Sequence, residues 1–443
     1  MYPNAGTPCY DSNRLQASSS SALARRRVLI AAPFPPAKDG LHGGAQVIGR
    51  LVDELADSHE LAVMYFRAEN EAPMEAALAR RCAFVEEVPR AGGAADPRRL
   101  LKLLGAFVRG YPMWAEDWRA NGFRERLRKI CAHWKPDVVQ FECHTMAQYA
   151  EAARGQITIL VEHEPGAAAA RDRWQFSRGW RRLVLARDRR AWDRYETECL
   201  AKFDAIVSLT ERDRRELLRM RPSARVRVIP PGGPAPAAGT SGNSPSANTI
   251  LFAGNFIHPP NVDAAMRLAG SIFPLVRARH PDAVLNIVGE APPACLRRLA
   301  APGVVVTGRV DDITPWLDAA AVVAAPLRLG GGIRIKVMDA LYAAKAIVAS
   351  PLAAEGLKLR DGREFLLAET DAEFAAALSS LLADPAARDR LSACAREWAA
   401  QFATPGRVGA AYERLYAVTR SAAEGASCPT PKSQRDRAAG RTR

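Results

Sequence analysis

Three consecutive glycines, Gly330, Gly331 and Gly332, are followed closely by Arg334, Lys336 and Asp339. This set suits an anion. Glycines let the backbone take positive φ and approach a ligand with no Cβ in the way. A helix starting just after them presents unpaired N–H groups and a positive dipole end, which suits a phosphate. Arg334 and Lys336 add cationic donors in the first turn, and Asp339 follows at i+3 from Lys336. The same residues also fit a plain strand-to-helix turn with a Lys–Asp pair on a solvated face. A second set is Glu162-His163-Glu164, directly after the apolar run ITILV. It sits at the C-terminal end of a strand, where open α/β sheets place ligands. A histidine there can hydrogen-bond a sugar or phosphate oxygen and titrates near neutrality. A structural histidine is the bland alternative. A third, weaker set is Gly43-Gly44 in the Pro/Gly loop after the first strand, where a phosphate or sugar could approach an ordinary βα turn.

The elements that must position these residues follow from the apolar pattern. VLIAAPF is a continuous apolar strand of the kind buried in a parallel sheet. It is followed by the Pro/Gly loop, a helix with Val47, Ile48, Leu51, Val52 and Leu55 on one face, and the strand LAVMYF. That order opens a doubly wound fold. Further strands are expected at Asp137–Phe141, Ile157–Val161, Asp204–Leu209 and Val226–Pro230. Pro231 to Asn248 is a Pro/Gly/Ser/Ala tract without periodicity, so residues 232–248 read as a linker. The alternation then restarts with ILFAG, AVLNIVG, VVVTG and the run Ala321–Ala325 ahead of the glycines. From Ile333, the residues Val337, Met338, Leu341 and Tyr342 share a helical face, and Ile347 and Val348 open another strand. Helices are expected at Ala372–Leu382, Ala386–Phe402 and Thr404–Val418.

These boundaries divide the chain into a first domain at 25–231, a second at 249–403 and a closing helix at 404–420. Residues 1–24 and 421–443 are polar, read as a disordered extension and tail, and the first lacks the apolar core of a secretion signal. The length of 443 residues fits two domains, and 48% apolar with 25% charged residues is globular. Lys plus Arg exceed Asp plus Glu by 62 to 48, a net +14 that favours polyanionic partners. Eight cysteines without a CxxC pair, and no His cluster at zinc spacing, indicate a reduced, cytoplasmic chain and no metal site. No apolar run approaches the roughly 20 residues of a membrane span. Two stretches, Leu100–Trp118 and the arginine-rich helical stretch Arg171–Arg194, mix basic, aliphatic and aromatic residues. They suit an anionic membrane surface or acceptor, or else a helix with a solvated charged face and tryptophans in the core. No groove-reading or RNA-binding motif accompanies the basic charge, which argues against nucleic acid. GxGxxG is absent after the first strand, which argues against a dinucleotide.

Beyond single sets, PLRLGGGIRIKVMDALYAAKAIVAS resembles the donor-binding segment of retaining glycosyltransferases of family 4 (group 1), in the subgroup whose segment begins with three glycines. AGNFIHPPNVDAAMRL, HPDAVLNIVGEAPP, GVVVTGRVDDITPWLDAAAVVAAPLRLGGG and SPLAAEGL are similar to the family's C-terminal domain in order. VLIAAPFPPAKDGLHGGAQVIGRLVDEL and the span Glu162–Leu217 are similar to its N-terminal half, so the likeness covers residues 25 to 417. It implies the GT-B fold, two Rossmann-like domains facing across a cleft, the last helix crossing back to the first. It implies a nucleotide-sugar donor as substrate, a glycan or lipid-linked acceptor in cell-surface polysaccharide synthesis, and no cofactor or metal. Gly331, Gly332, Arg334 and Lys336, with Gly254 and Asn255, would hold the diphosphate; Asp339 would bind the ribose hydroxyls. Gly330 and Glu355 would complete the donor side, Arg309 and Val310 would meet the base, and His163 would face donor and acceptor. Gly43, Gly44 and Glu162 would lie on the acceptor side. The family's first motif glutamate falls at Gly331 and its usual turn arginine at Asn255. A catalytically silent binding protein of the same fold, associated with envelope glycan assembly, is the alternative. The expected location is cytoplasmic, peripheral at the inner face of a membrane.

Overall fold

The computed structural model describes residues 25–38, 43–69, 71–90, 97–175, 177–233, 248–310, 312–332, 334–402 and 406–427. The extension at 1–24, most of the linker at 232–248 and the tail from 428 on lie outside the described residues.

The first sheet has seven parallel strands: β1 (Arg27–Ala32), β2 (Glu60–Arg67), β3 (Phe84–Pro89), β4 (Val138–Glu142), β5 (Ile157–Glu162), β6 (Ala205–Ser208) and β7 (Val226–Val228). Their spatial order is β3-β2-β1-β4-β5-β6-β7. The second sheet has six: β8 (Thr249–Ala253), β9 (Val284–Val288), β10 (Val304–Val306), β11 (Val322–Ala325), β12 (Ala346–Ala349) and β13 (Leu366–Leu367). They run β10-β9-β8-β11-β12-β13, again all parallel. Both are doubly wound. In each, the strand order reverses between the opening strand and its crossover neighbour, β1/β4 and β8/β11, and the crevice above that point receives ligands.

Why the strands read as unbroken apolar runs is visible in β1. Val28, Ile30 and Ala32 enter the core on one face of the sheet, while Leu29 and Ala31 enter the core on the other. A strand covered on both faces has no solvent side to alternate with. The two edge strands absent from the expectations lack this signature. In β3 most residues are half-buried and two are glutamates, and β13 is only two residues long.

The last helix, Arg407–Ser427, leaves the second domain and packs on the first: Val408, Tyr412, Leu415 and Tyr416 join the core behind β1. The Gly409 N–H donates to Glu54 Oε2 at 2.8 Å. This helix runs through Ser421–Ser427, into the stretch expected to be a disordered tail. Alanines at 422, 423 and 426 favour continued helix. The arginine-rich stretch is also corrected: it is two helices, Gly166–Gln175 and Trp180–Leu200, interrupted at Gly179 with φ 61°.

Candidate active site

The two crevices face each other, and the strand ends of both sheets converge there. From the second sheet, β11 leads through Pro326 into the glycines and the helix Ile335–Tyr342. Gly330 and Gly332 have φ of 101° and 69°, a region that glycine enters without strain. Arg334 folds back on this loop, donating from Nη1 to the Gly331 carbonyl and from Nη2 to that of Gly330. Lys336 reaches to the neighbouring strand end. Its Nζ donates to Asn261 Oδ1 at 2.5 Å and stands 4.4 Å from the centre of the Phe252 ring. A Cβ on Gly254 would lie 3.0 Å from that Nζ, so the glycine makes room for the ammonium. Asn255 is buried; its Oδ1 accepts from the Ile257 N–H at 2.9 Å and its carbonyl accepts from Asn261 Nδ2 at 2.7 Å. Burial, with Arg334 nearby as a lesser cause, pushes the Lys336 ammonium down to about 7.

From the first sheet, β4 ends at Glu142 and β5 at Glu162. Cys143 follows Glu142 with φ 68° and ψ 148°, a conformation that non-glycine residues rarely adopt and that clusters at functional sites. His163 Nε2 and Glu142 Oε2 are 2.7 Å apart. Glu142 is fully buried, and its other oxygen accepts from Gln140 Nε2 at 2.5 Å; Gln140 in turn accepts from the Tyr416 hydroxyl at 2.7 Å. The imidazole is thus held by a buried chain that begins on the closing helix. Among the described residues its Nδ1 has no hydrogen-bond partner.

Glu162, expected on the acceptor side, is 1% exposed and does not face the cleft. Side chains alternate along a strand, so the residue before His163 turns into the domain. Among the described residues neither Glu162 oxygen has a hydrogen-bond partner, with His144 Nδ1 3.6 Å from Oε2, and burial pushes its carboxyl up to about 8. Glu164 faces the glycine loop instead: its Oε1 accepts the Gly331 N–H at 2.6 Å. Asp172 Oδ2 accepts the Gly330 N–H at 3.2 Å.

Family models match this architecture half by half. Residues 42–232 match a glycosyl transferase 4-like domain, and residues 247–384 match glycosyl transferases group 1, so the two together take in most of the chain. The chain belongs to the group 1 glycosyl transferases. Solved structures place the transferase in the GT-B fold. The sucrose-phosphate synthase of Thermosynechococcus elongatus superposes with a TM-score of 0.65 at 17% identity, covering 90% of this chain and 100% of that one. HepE of Anabaena, in complex with UDP and glucose, gives 0.59 at 12% identity over 90% and 100%. WaaG, a glycosyltransferase involved in lipopolysaccharide biosynthesis, gives 0.59 at 15% identity over 90% and 99%. Curated relatives match only locally. An uncharacterised 44.6 kDa protein in the cps region of Klebsiella pneumoniae is 22% identical over 135 residues, 28% of this chain and 35% of that one. The tRNA 5-methylaminomethyl-2-thiouridine biosynthesis bifunctional protein MnmC of Burkholderia ambifaria is 32% identical over 177 residues, 37% of this chain and 27% of that one.

The remaining expected residues of the transferase are placed as follows. Gly43 and Gly44 are not in an open loop; they form the first turn of the helix Gly43–Leu55. A Cβ on Gly43 would meet Ile335 at 3.0 Å, so this turn packs on the helix Ile335–Tyr342 of the other domain. Asp339 pairs with Arg50 of the first domain at 3.5 Å, and Glu355 with Arg212 at 2.7 Å, two ion pairs that link the domains. Arg309 lies on the rim, largely exposed, 3.7 Å from Glu290, and Val310 packs at the edge of the second core. Glu142, Asp172, Asn261 and Arg50 were not expected from the sequence, and Glu164 was expected only as a flank of His163, without a role of its own. Glu142 carried a usable signal: it ends an apolar strand just as Glu162 does.

Proposed function

We propose that the transferase moves a sugar from a nucleotide-sugar donor to a glycan or lipid-linked acceptor in cell-surface polysaccharide synthesis, with retention and without a metal. The observation that carries this is Lys336 joining the Gly330–Gly332 loop to the turn Gly254–Asn255, opposite His163. A departing nucleoside diphosphate develops charge, and preorganised cations and N–H groups stabilise it. Lys336, Arg334 and the start of the helix Ile335–Tyr342 supply them, with Asp339 for the ribose. His163, oriented by Glu142, meets the acceptor hydroxyl. Retention is taken from the family that the sequence resembles. HepE's complex with UDP and glucose, and WaaG's part in lipopolysaccharide biosynthesis, support the donor and acceptor classes. The nucleotide sugar is a substrate, no cofactor is needed, and nucleic acid is not a partner.

The acceptor class goes with peripheral attachment to the cytoplasmic face of a membrane. The helix Pro97–Arg109 exposes Leu100, Leu101, Leu104 and Val108, and the helix Trp180–Leu200 exposes Trp180 and Leu183. Arg187 ties the two by donating to the Phe107 and Val108 carbonyls at 2.9 and 3.0 Å. Trp192, by contrast, is fully buried. Each basic residue near an anionic leaflet contributes about 1 kcal/mol, enough for reversible binding from a few arginines. Among the described residues no helix is long and apolar enough to cross a membrane.

A second reading, a catalytically silent binding protein, is favoured by the loop N–H groups being taken by Glu164 and Asp172. Two experiments decide. Mass spectrometry of the purified protein should find a co-purifying nucleotide sugar, and nucleotide-sugar hydrolysis should be measurable; binding without turnover favours the silent protein. Flotation with anionic liposomes should recover the protein at low salt and lose it at high salt. Equal recovery in the soluble fraction with neutral and anionic liposomes removes the membrane from the proposal.

A further inference from the structure

We infer that Glu164, a residue of the first domain, is the carboxylate that receives the hydroxyls of the donor's glycosyl group, so that donor specificity is set from across the cleft; this rests on the transferase reading above. The loop glycines lead to it. Gly330 and Gly332 need to be glycine for their backbone conformation. Gly331 does not, since its φ is outside the left-handed region. What a side chain at 331 would meet is Glu164: a Cβ would lie 2.7 Å from Oε1, 3.1 Å from Cγ and 3.2 Å from Cδ. The place of one domain's side chain is thus filled by the other domain's carboxylate. At Gly332 the Cβ position is 2.6 Å from the His163 carbonyl oxygen, so His163 and Glu164 dock along the loop together.

The Glu164 carboxylate is held but not used up. Oε1 accepts the Gly331 N–H at 2.6 Å, and among the described residues Oε2 has no hydrogen-bond partner. An ionised carboxylate only accepts, and each oxygen takes two bonds, so hydroxyls are its natural ligands. The hydrogen bonds of the site's cations go elsewhere, Arg334 to the loop carbonyls and Lys336 to Asn261 over Gly254, so Glu164 acts on the nearby Arg334 guanidinium only through space. A glycosyl group is bonded to the terminal phosphate of its carrier. With the diphosphate on the cationic side, the sugar ring lies against the first domain, beside the Gly331–Glu164 contact. A site built around hydroxyl hydrogen bonds rejects an analogue with a displaced hydroxyl far more strongly than an apolar pocket does. The competing account is that Glu164 and Asp172 merely stand in for the diphosphate on the loop N–H groups and leave when it binds.

Calorimetric titration separates these accounts. Wild type, Glu164→Gln and Gly331→Ala are each titrated with UDP, GDP and ADP. The same proteins are then titrated with UDP-glucose, UDP-galactose, GDP-mannose, GDP-glucose and ADP-glucose. Thermal melting of each variant reports that the fold is intact. Expected for Glu164→Gln is nucleoside diphosphate affinity within twofold of wild type, at least a tenfold loss for the preferred nucleotide sugar, and a collapsed ratio between epimers. Gly331→Ala, whose methyl displaces the carboxylate without removing it, should give the same split. A wild-type epimer ratio in both variants overturns the inference and leaves the transferase reading standing. Tighter nucleoside diphosphate binding in both overturns it in favour of the stand-in account. A wild-type protein that binds no member of the panel overturns the transferase reading itself, and this inference with it.

Discussion

At the centre of the cleft the second-domain wall presents Arg334 and Lys336, and the first-domain wall presents Glu142, Glu164, Asp172 and Asp213 (whose Oδ2 accepts from the Thr210 hydroxyl at 2.7 Å) around His163; the pairs Asp339–Arg50 and Glu355–Arg212 reverse this polarity beside it. Burial acts on the two walls in opposite chemical directions. It pushes Lys336 down to about 7, and it pushes Glu162 behind the wall up to about 8 and Asp213 up to about 6. Near neutrality the loss of charge falls on Lys336, since an Asp213 at about 6 stays largely ionised at pH 7 and Glu162 lies behind the wall. The difference matches the division of labour in the proposed function, in which one wall would receive an anion and the other hydroxyls.

Removing the cationic wall should have the largest effect. Lys336→Ala should lower kcat/KM for the donor by about 10- to 100-fold, the loss of one charge-assisted contact of roughly 1.5–3 kcal/mol. Arg334→Ala should match it in turnover and also lower the melting temperature, because the guanidinium ties down the Gly330 and Gly331 carbonyls. Steady-state kinetics with the donor varied, alongside thermal melts, measures both. Wild-type kinetics in either variant would make that wall structural only.

The next effect sharpens the same comparison through pH. In the unfolded chain Lys336 holds its proton until about pH 10.4, whereas in the folded protein it releases it at about 7. Between those values the unfolded chain binds more protons, so this group makes the folded state relatively more stable as pH rises. Donor affinity should move the other way, weakening up to about tenfold per pH unit above 7 as the ammonium is lost. Lys336→Arg keeps its charge and should flatten the profile. Titration of the nucleotide between pH 6 and 9 reads the slope, and equal slopes in both proteins would assign it elsewhere.

These two walls were unequally legible. The glycine loop, Lys336 and the strands under them stood out because parallel strands buried on both faces are apolar without a break, and because a glycine run is rare punctuation. Of the acidic wall only the strand-end position was readable. Sequence cannot tell which of Glu162, His163 and Glu164 turns inward, since a shift of one residue exchanges the faces of a strand. Here Glu162 went into the core and Glu164 to the loop. Asp172 and Arg50 sit on helices and become site residues only because the domains face each other, a relation that no local pattern encodes. The pairing of Asp339 with Arg50 and of Glu355 with Arg212 was invisible for the same reason.

On the acidic wall, His163→Ala should lower kcat by about tenfold with little change in nucleotide affinity, since one charge-assisted hydrogen bond near the acceptor is lost. Comparable losses in kcat and in UDP, GDP or ADP affinity would place His163 on the donor side instead.

The smallest effect belongs to the residue furthest from the cleft. Tyr416, on the closing helix, donates to Gln140, which donates to Glu142, which holds His163. Tyr416→Phe keeps the ring in the core and removes only the hydroxyl, leaving the buried Gln140 oxygen without its donor. That should cost about 1–3 kcal/mol of stability, the penalty for an unsatisfied buried acceptor. Its effect on turnover must pass through two further hydrogen bonds, so kcat should fall threefold or less, at unchanged KM for the donor. The pairing with His163→Ala decides between a positioning chain and simple packing. If the chain positions the imidazole, Tyr416→Phe should have no further effect on kcat in the His163→Ala background while still lowering the melting temperature. Additive losses in kcat would mean that Tyr416 acts on the closing helix as a whole, and that the acidic wall is oriented by Glu142 alone.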